Sequence, residues 1–393
     1  MEKFDGGGHP LHGGHSSRRP GLHVLLLTPA RYATFRRTAE TLAIGAIGGT
    51  TLGLLHLPAG WLIGAMIAVA SAALAGRPML IPRPLMNVIF VFIGISLGSV
   101  VTPETLHGMG AWPLSLAIMI VAIVTISLAS SAYLRYAHGW GNTAALLASA
   151  PGALSQVMVM ANELGVDVRA VVIVQTLRVM IVSVGLPSAL TLLGLVGPNA
   201  RSVGGTFSVD QLGELSLLIS SSAFVAYFFL RFRIPGGLLF GAMLCSGALH
   251  GSGYVHALMP WWAANAAMLA LGSTTGSRFA NTSPRLLLDF IWAALGCFVI
   301  SVVVAALFVA ILALGTPLRI ADVSIAFAPG AVDAMMVLAL ALNLDPVYVG
   351  AHHLARIVFI SVTIPFIARW SVRQARLPPE PEPPRQKDVP FED

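Results

Sequence analysis

Polar residues are sparse along this chain and gather in short clusters, which divide it into twelve apolar runs. In the first half the runs lie at about 38–56, 58–76, 85–101, 112–134, 142–162 and 168–196. In the second half they lie at about 212–230, 235–253, 262–279, 285–314, 321–342 and 346–369. About 20 apolar residues carry a helix across the hydrocarbon core of a bilayer, so each run is a candidate span. Two of the runs are broken from inside, at "SAPGALSQVMVMANELGVD" (149–167) and "FAPGAVDAMMVLALALNLD" (327–345). Proline removes an amide donor and clashes with the preceding turn, and glycine adds backbone freedom, so each Pro-Gly pair predicts a helix that stops and restarts.

The two breaks belong to a longer repeat. Pro151 and Pro329 stand at an offset of 178 in the numbering, and the same offset relates Asn87 to Asn265, Gly94 to Gly272, Gly98 to Gly276 and Ser99 to Ser277. It also relates Asp167 to Asp345, Arg178 to Arg356 and Pro187 to Pro365, while "LPAGWLIGAM" and "IPGGLLFGAM" match at 177. Chance would not hold one register over this length. The expected organisation is a basic, disordered N-terminal tail at 1–37, a membrane repeat at 38–200, a second at 210–372 and a disordered Pro-rich C-terminal tail at 373–393. This is the tandem duplication of a transporter-like fold, not a short-period solenoid.

Composition places the runs in lipid. Hydrophobic residues make up 56% of the chain, charged residues 10%, and the mean hydropathy is +0.81; a soluble domain is about 25% charged. The two cysteines, Cys245 and Cys297, fall inside apolar runs and form no metal motif. The net charge of +6 does not indicate direct nucleic-acid binding, because the basic residues lie in short loops and at the ends, with no recognition element among them.

Charge also bears on topology. If all twelve runs cross, the loop arginines divide five against five, and the bias toward the cytoplasmic side vanishes. If each Pro-Gly run instead returns to the side it entered, Arg77, Arg83, Arg135, Arg169, Arg231, Arg233, Arg278 and Arg285 share one side, against Arg201 and Arg319. Each copy then has five spans, an odd number, and the second copy is inverted. The expected fold class is therefore all-α integral membrane, with two inverted-topology repeats of about five transmembrane helices plus one broken or re-entrant Pro-Gly segment. Broken helices that fully span remain the alternative. The expected location is the bacterial inner membrane, multi-pass, with both termini cytoplasmic.

The paired stretches "PGALSQVMVMANELGVDVRAVVIVQTLRV" and "PGAVDAMMVLALALNLDPVYVGAHHLARI" resemble the bacterial membrane AbrB-duplication family, over about residues 40–370. Labels attached to that family include transcriptional regulator, regulator of aidB expression and ammonia monooxygenase. A monooxygenase needs a copper or iron site, and the spans offer no cluster at ligand spacing. His352 and His353 are adjacent and point about 100° apart on a helix, so they do not chelate together. A transcriptional effect would be indirect, since no DNA-reading element is visible.

The candidate site residues cluster at the breaks: Pro151, Gly152, Ser155, Gln156, Gln175 and Arg178 in the first copy, and Pro329, Gly330, Asp333, His353 and Arg356 in the second. An ionisable group inside a membrane needs a partner or water. Arg178 and Arg356 either supply cations for an anionic solute or satisfy carbonyls freed at the breaks. Asp333 either caps the second half-helix, as Ser155 would in the first copy, or also contacts H⁺ or Na⁺ as the coupling group. Gln175 with Arg178 and His353 with Arg356 repeat one three-residue spacing, hence one polar helix face. Small-xxx-small spacing at Gly94, Gly98, Gly272 and Gly276 predicts close helix approach, or else an unwound stretch.

Together these readings predict a secondary transporter of a small, anionic solute, with its site at the midplane between the Pro-Gly segments. Its partners would be the lipid bilayer, the solute and H⁺ or Na⁺; a homo-oligomer is compatible with the sequence, and no cofactor is expected. A membrane sensor that alters gene expression through a partner or a transported metabolite is the alternative. An enzyme is not expected, because no nucleophile–base arrangement is visible.

Overall fold

A backbone in lipid has no water to satisfy its amides and carbonyls, and an α-helix satisfies them within one segment. The computed structural model, which describes residues 29–101, 110, 112–152, 154–197, 204–205, 209–280 and 282–375, is accordingly a succession of helices. The first half contains α1 (Pro29–Leu54), α2 (Gly60–Leu74), α3 (Arg83–Gly98), α4 (Trp112–His138), α5 (Asn142–Ser149), α6 (Leu154–Glu163) and α7 (Val168–Leu192). The second contains α8 (Leu212–Arg231), α9 (Gly237–Gly251), α10 (Trp261–Ser277), α11 (Pro284–Gly315), α12 (Ile320–Phe327), α13 (Val332–Ala341) and α14 (Pro346–Ala375). Shifting the bounds of α5 and α6 by the repeat offset of 178 gives those of α12 and α13, and shifting α2 by 177 gives α9.

Four described helices are long and apolar enough to cross a membrane: Trp112–His138, Val168–Leu192, Val209–Arg231 and Pro284–Gly315. The sequence expectation treated every run as a candidate span, and four of the unbroken helices prove shorter than their runs and than a full crossing. Helices α2, α3, α9 and α10 have 15, 16, 15 and 17 residues. At 1.5 Å per residue they are about 22–26 Å long, against a hydrocarbon core of about 30 Å. Pro82 and Pro260 hold the extended positions before α3 and α10 and mark where those helices start, since a proline disfavours a helical residue ahead of it. The expected tails are also shorter than their runs suggested. Helix α1 begins at Pro29 and α14 ends at Ala375, so 29–37 and 373–375 are helical; the rest of both tails lies outside the described residues.

The short helices pair across the two halves, α2 with α10 and α3 with α9. Glycine makes both pairings possible. A Cβ at Gly94 would lie 2.4 Å from the Leu239 carbonyl oxygen, and one at Gly98 2.4 Å from that of Met243. Reciprocally, a Cβ at Gly272 would lie 2.2 Å from the Leu62 oxygen, and one at Gly276 2.6 Å from that of Met66. Both helices run unbroken through these positions, so close approach, and not an unwound stretch, is their role. Helices α4 and α11 also pack on each other, with Ser130 and Ser301 hydroxyls 3.4 Å apart.

Both the crossing and the turn before α2 can be tested. Gly272→Leu should abolish recovery of monodisperse protein in detergent, since backbone stands where the side chain must go; unchanged size-exclusion behaviour would contradict the crossing. Before α2, Ala59 holds a left-handed conformation (φ 54°) that Gly236 holds before α9 (φ 67°). That conformation costs a residue with a Cβ about 1–2 kcal/mol, so Ala59→Gly should raise stability by about 1 kcal/mol, read as a higher melting temperature.

Candidate functional site

Each Pro-Gly break begins where a half-helix runs out of partners. Helix α5 ends at Ser149, after which Ala150 is extended (φ −65°, ψ 119°), Pro151 follows and Gly152 turns the chain at φ +95°. Helix α12 ends at Phe327, and Ala328 is likewise extended (φ −58°, ψ 135°) ahead of Pro329 and Gly330. The last four carbonyls of a helix have no partner inside it, and here they are buried, where an unmet carbonyl is costly. The donors come from the long helix that follows. Gln175 Nε2 donates to the Leu147 oxygen at 2.8 Å, and the Arg178 guanidinium donates to the oxygens of Ser149 (3.1 Å) and Ala150 (3.2 Å). In the second half, His353 Nε2 donates to the Ile325 oxygen at 3.2 Å, and Arg356 donates to those of Ala328 (2.7 Å) and Gly330 (2.7 Å). Leu147 and Ile325 are repeat-mates at the offset of 178, so glutamine and histidine do the same work in equivalent places.

These bonds also give direction. Residues 147 and 149–150 meet residues 175 and 178, so α5 rises alongside α7 in the same sense. In the second half there is a third rung, because Asp322 at the start of α12 accepts from the Asp345 amide, just ahead of α14, at 2.8 Å. The short turn from α6 to α7 brings the chain back to the level at which α5 began, so α5 and α6 form a hairpin whose tip reaches Arg178. The ten-residue climb from Val168 to Arg178 makes that tip about 15 Å deep. Helices α12 and α13 form the equivalent hairpin against α14.

The tips meet. A Cβ at Gly152 would lie 3.1 Å from Arg356 Nε and 3.2 Å from its Nη2, so the guanidinium of the second half lies against the break of the first. Arg178 and Arg356 are 0% and 2% exposed, the largest side chains so fully enclosed among the described residues. Each stands at the C-terminal end of a half-helix, where the helix dipole favours a cation. Neither has a carboxylate within 4 Å among the described residues, and the Nε of each has no partner there. The N-terminal ends of α6 and α13 open at the same breaks, bringing further free amides. A separate cavity of about 360 Å³ near the start of α1, lined by Arg31, Thr34, Phe35, Thr38 and Pro82, shares no residue with the breaks.

Of the residues the sequence singled out, Pro151, Gly152, Gln175, Arg178, Pro329, Gly330, His353 and Arg356 come together at the two tips. Ser155 and Gln156 lie in the first turn of α6, and the reading of Ser155 as a cap falls outside the described side chains. Asp333 takes one free amide of α13, accepting from Ala334 at 3.0 Å. It does so from within the first turn, because the capping position is held by Ala331. Four residues were not among the candidate site residues: Ser115, Asp322, Tyr348 and His352, the last weighed only as a metal ligand. Ser115 Oγ lies 2.8 Å from His352 Nε2, and the Tyr348 and His352 rings are 4.1 Å apart. Tyr348, His352 and Arg356 recur every four residues along one face of α14, a spacing that was visible in the sequence. At the hairpin mouth, burial raises the Asp345 carboxyl above the ordinary carboxylate range, against amide bonds from Tyr348 and Val347 that lower it.

The family model described as "Transition state regulatory protein AbrB" matches residues 61–372, a stretch that holds both hairpins and both arginines. The chain belongs to the AbrB family. Among its AbrB-family relatives, "Putative regulator AbrB" of Escherichia coli (strain K12) is 27% identical over 328 residues, covering 80% of this chain and 91% of that protein. "Uncharacterized protein YhjN" of Bacillus subtilis (strain 168) is 24% identical over 355 residues, covering 82% and 90%. The apolar helices fit an AbrB-family protein associated with the membrane.

Equivalent roles predict which substitutions this AbrB-family chain tolerates. Gln175→His keeps a donor for the Leu147 carbonyl and should change the melting temperature little. Gln175→Leu leaves that buried carbonyl unmet and should cost about 1–3 kcal/mol, measured by thermal unfolding in detergent; equal losses for the two variants would remove the assigned role.

Proposed function

We propose that the chain is a secondary transporter of a small anionic solute, bound at mid-depth between the two hairpin tips. One observation carries this reading: two fully enclosed guanidinium groups converge on the breaks with no carboxylate beside them among the described residues. A buried charge is expensive unless it is compensated, and the carbonyls each arginine holds offer dipoles, not a full negative charge. An anion between the tips would compensate both cations and would meet the free Nε atoms and the amides opening α6 and α13. Irregular backbone at depth is tolerated where it is enclosed in protein or lines a water-filled path, which fits a site that opens in turn to each side. The reading assigns no reaction chemistry to the chain.

The same reading places the two repeats in inverted orientation in the bacterial inner membrane, with five crossings each and both termini cytoplasmic. The hairpin course of α5–α6 and α12–α13 supports it, since a returning segment leaves each repeat an odd number of crossings. The resulting arginine asymmetry, eight against two, supports it independently. On this topology the α5–α6 hairpin enters from the cytoplasm and the α12–α13 hairpin from outside, so the tips meet from opposite faces. A second reading, a membrane sensor acting through a partner, draws on the name of the Escherichia coli relative, "Putative regulator AbrB".

Counterflow of a panel of small carboxylates, phosphates and sulfate in proteoliposomes tests the transport reading. We expect one class to exchange, and Arg178→Gln or Arg356→Gln to weaken it about 10–150-fold, the worth of one hydrogen bond to a charged group. No exchange across the panel, with a transcriptional response to deletion that needs a bound partner, would favour the sensor. For topology, single cysteines at Arg83 and Arg233 in a background lacking Cys245 and Cys297 should both react with an impermeant maleimide from the cytoplasmic side only. Reaction from opposite sides would overturn the inversion.

A further inference from the structure

The two adjacent histidines of α14 are both fully enclosed, yet their hydrogen-bond surroundings differ in one decisive respect. His353 donates from Nε2 to the Ile325 carbonyl, and its Nδ1 has no partner among the described residues. A carbonyl only accepts, so this ring carries its hydrogen on Nε2, and a second one on Nδ1 would find no acceptor there. His352 is placed otherwise. Its Nδ1 lies 2.8 Å from the Tyr348 carbonyl and its Nε2 lies 2.8 Å from Ser115 Oγ, while Ser115 Oγ lies 3.0 Å from the Trp112 carbonyl. The Tyr348 carbonyl can only accept, so Nδ1 carries a hydrogen, while the single Ser115 hydroxyl hydrogen can go to the Trp112 carbonyl or to Nε2 but not to both. While that hydrogen serves Trp112, the contact between Nε2 and Oγ has two lone pairs and no hydrogen. A third hydrogen, on Nε2, completes all three bonds at once. In the neutral ring the serine hydroxyl must instead turn to Nε2 and release Trp112.

We propose that His352 is a proton-binding site, which takes one proton at Nε2 and hands the resulting hydrogen bond to Ser115. The step is a simple addition to the Nε2 lone pair; nothing is oxidised and no group leaves. The proton's route is the mouth of the α12–α13 hairpin, where Asp322 and Asp345 are joined through the Asp345 amide. From Asp345 to His352 is two turns of α14, about 10 Å, with the Tyr348 ring between them. The mouth carries two carboxylates and one cation, Arg319, whose Nε lies 3.7 Å from Asp322 Oδ2, so it offers an imidazolium one net negative charge at a distance. The repeat-mate positions show that this column is special to the second half. At the offset of 178, Asp322, Tyr348 and His352 fall on Ala144, Ala170 and Val174, and only Asp345 keeps its counterpart, Asp167.

The surroundings of His352 contain few competing charges. Helix α14 itself brings Tyr348, His353 and Arg356; α12 brings Asp322, with Arg319 at its cap 3.7 Å from that carboxylate, and the Phe327 ring, 6.2 Å away; and α13 brings Asp333. Helix α4 presents Ser115 and Trp112, its single charged side chain, Arg135, being near its other end. Helix α5 has no charged residue, while the charged residues of α3 and α6, Arg83 and Glu163, stand at helix ends. Protonation therefore adds a positive charge one turn from Arg356, which favours an anion at the tips. Proton and anion would bind together, and the coupling group would be His352 in place of Asp333.

This purpose rests on the transport reading, but the protonation itself is measured without any solute. Full-length protein labelled with 15N-histidine in lipid nanodiscs should show, for His352, one bare ring nitrogen at high pH and none at low pH. The assignment comes from His352→Gln, or from His352→Asn should the first variant not fold. Wild type should take up about one more proton per chain than the variant over the same range, while His353 keeps a bare Nδ1 throughout. A bare nitrogen on His352 at every pH at which the chain stays folded, or equal proton uptake by variant and wild type, overturns the proposal. If His352 titrates but no anion exchanges in counterflow, the transport reading falls and the proton site stands. If exchange occurs and His352 never titrates, the proton site alone falls.

Discussion

Everything in the centre of this protein depends on six backbone carbonyls. Two half-helices stop in a buried place, and their ends present oxygens that water cannot reach. Gln175, Arg178, His353 and Arg356 supply the hydrogens. These bonds hold each hairpin to the helix that follows it and fix the tip depth. They also explain how two arginines persist inside an apolar protein, each at the negative end of a helix dipole. Because one face of each guanidinium is spent on carbonyls, what remains is directional: the Nε edge and, for Arg356, the approach to Gly152.

The cross-pairing of the short helices is a separate and purely steric arrangement. Glycines in α3 and α10 let backbones approach to distances at which any Cβ would collide, and the partners are equivalent residues of α9 and α2. This ties the two halves into one body without using charge. The charged centre is thus free to differ between the halves, and at equivalent positions it does: Gln175 corresponds to His353, Ser155 to Asp333, and Val174 to His352. Duplicated scaffolds of this kind separate what must stay equal, the packing, from what can diverge, the polar lining.

Much of this was legible in the sequence, and for identifiable reasons. Pro-Gly pairs break helices by covalent necessity, and one register held through both halves revealed their pairing. The polar face Gln175–Arg178 and His353–Arg356 was visible as spacing. Whether those side chains served carbonyls or a solute was not, because that depends on which backbone atoms the neighbouring helix presents. The lengths of four helices were overread, since apolar residues continue into the turns at their ends, such as Ser99–Val101 after α3 and Arg278–Phe279 after α10. His352 was considered in the sequence only as a metal ligand beside His353 and set aside on that ground, and because its repeat-mate is Val174, the duplication gave no second signal. Asp333 attracted attention as a lone acid after the break, yet its carboxylate is engaged with the first turn of its own helix.

The short sequence separation between each break and its donors has a consequence for how the chain is made. Leu147 waits for Gln175, and Ala328 for Arg356, each 28 residues further on. On the proposed membrane topology, a nascent hairpin carries bare carbonyls that hydrocarbon would penalise until those residues leave the ribosome. The hairpin is therefore poorly suited to enter lipid alone. It should move from the insertion machinery only as a unit with its arginine-bearing helix, and the guanidinium, itself unwelcome in lipid, should cross under cover of the same carbonyls. Each half of the molecule would thus be delivered with its most polar contact already closed.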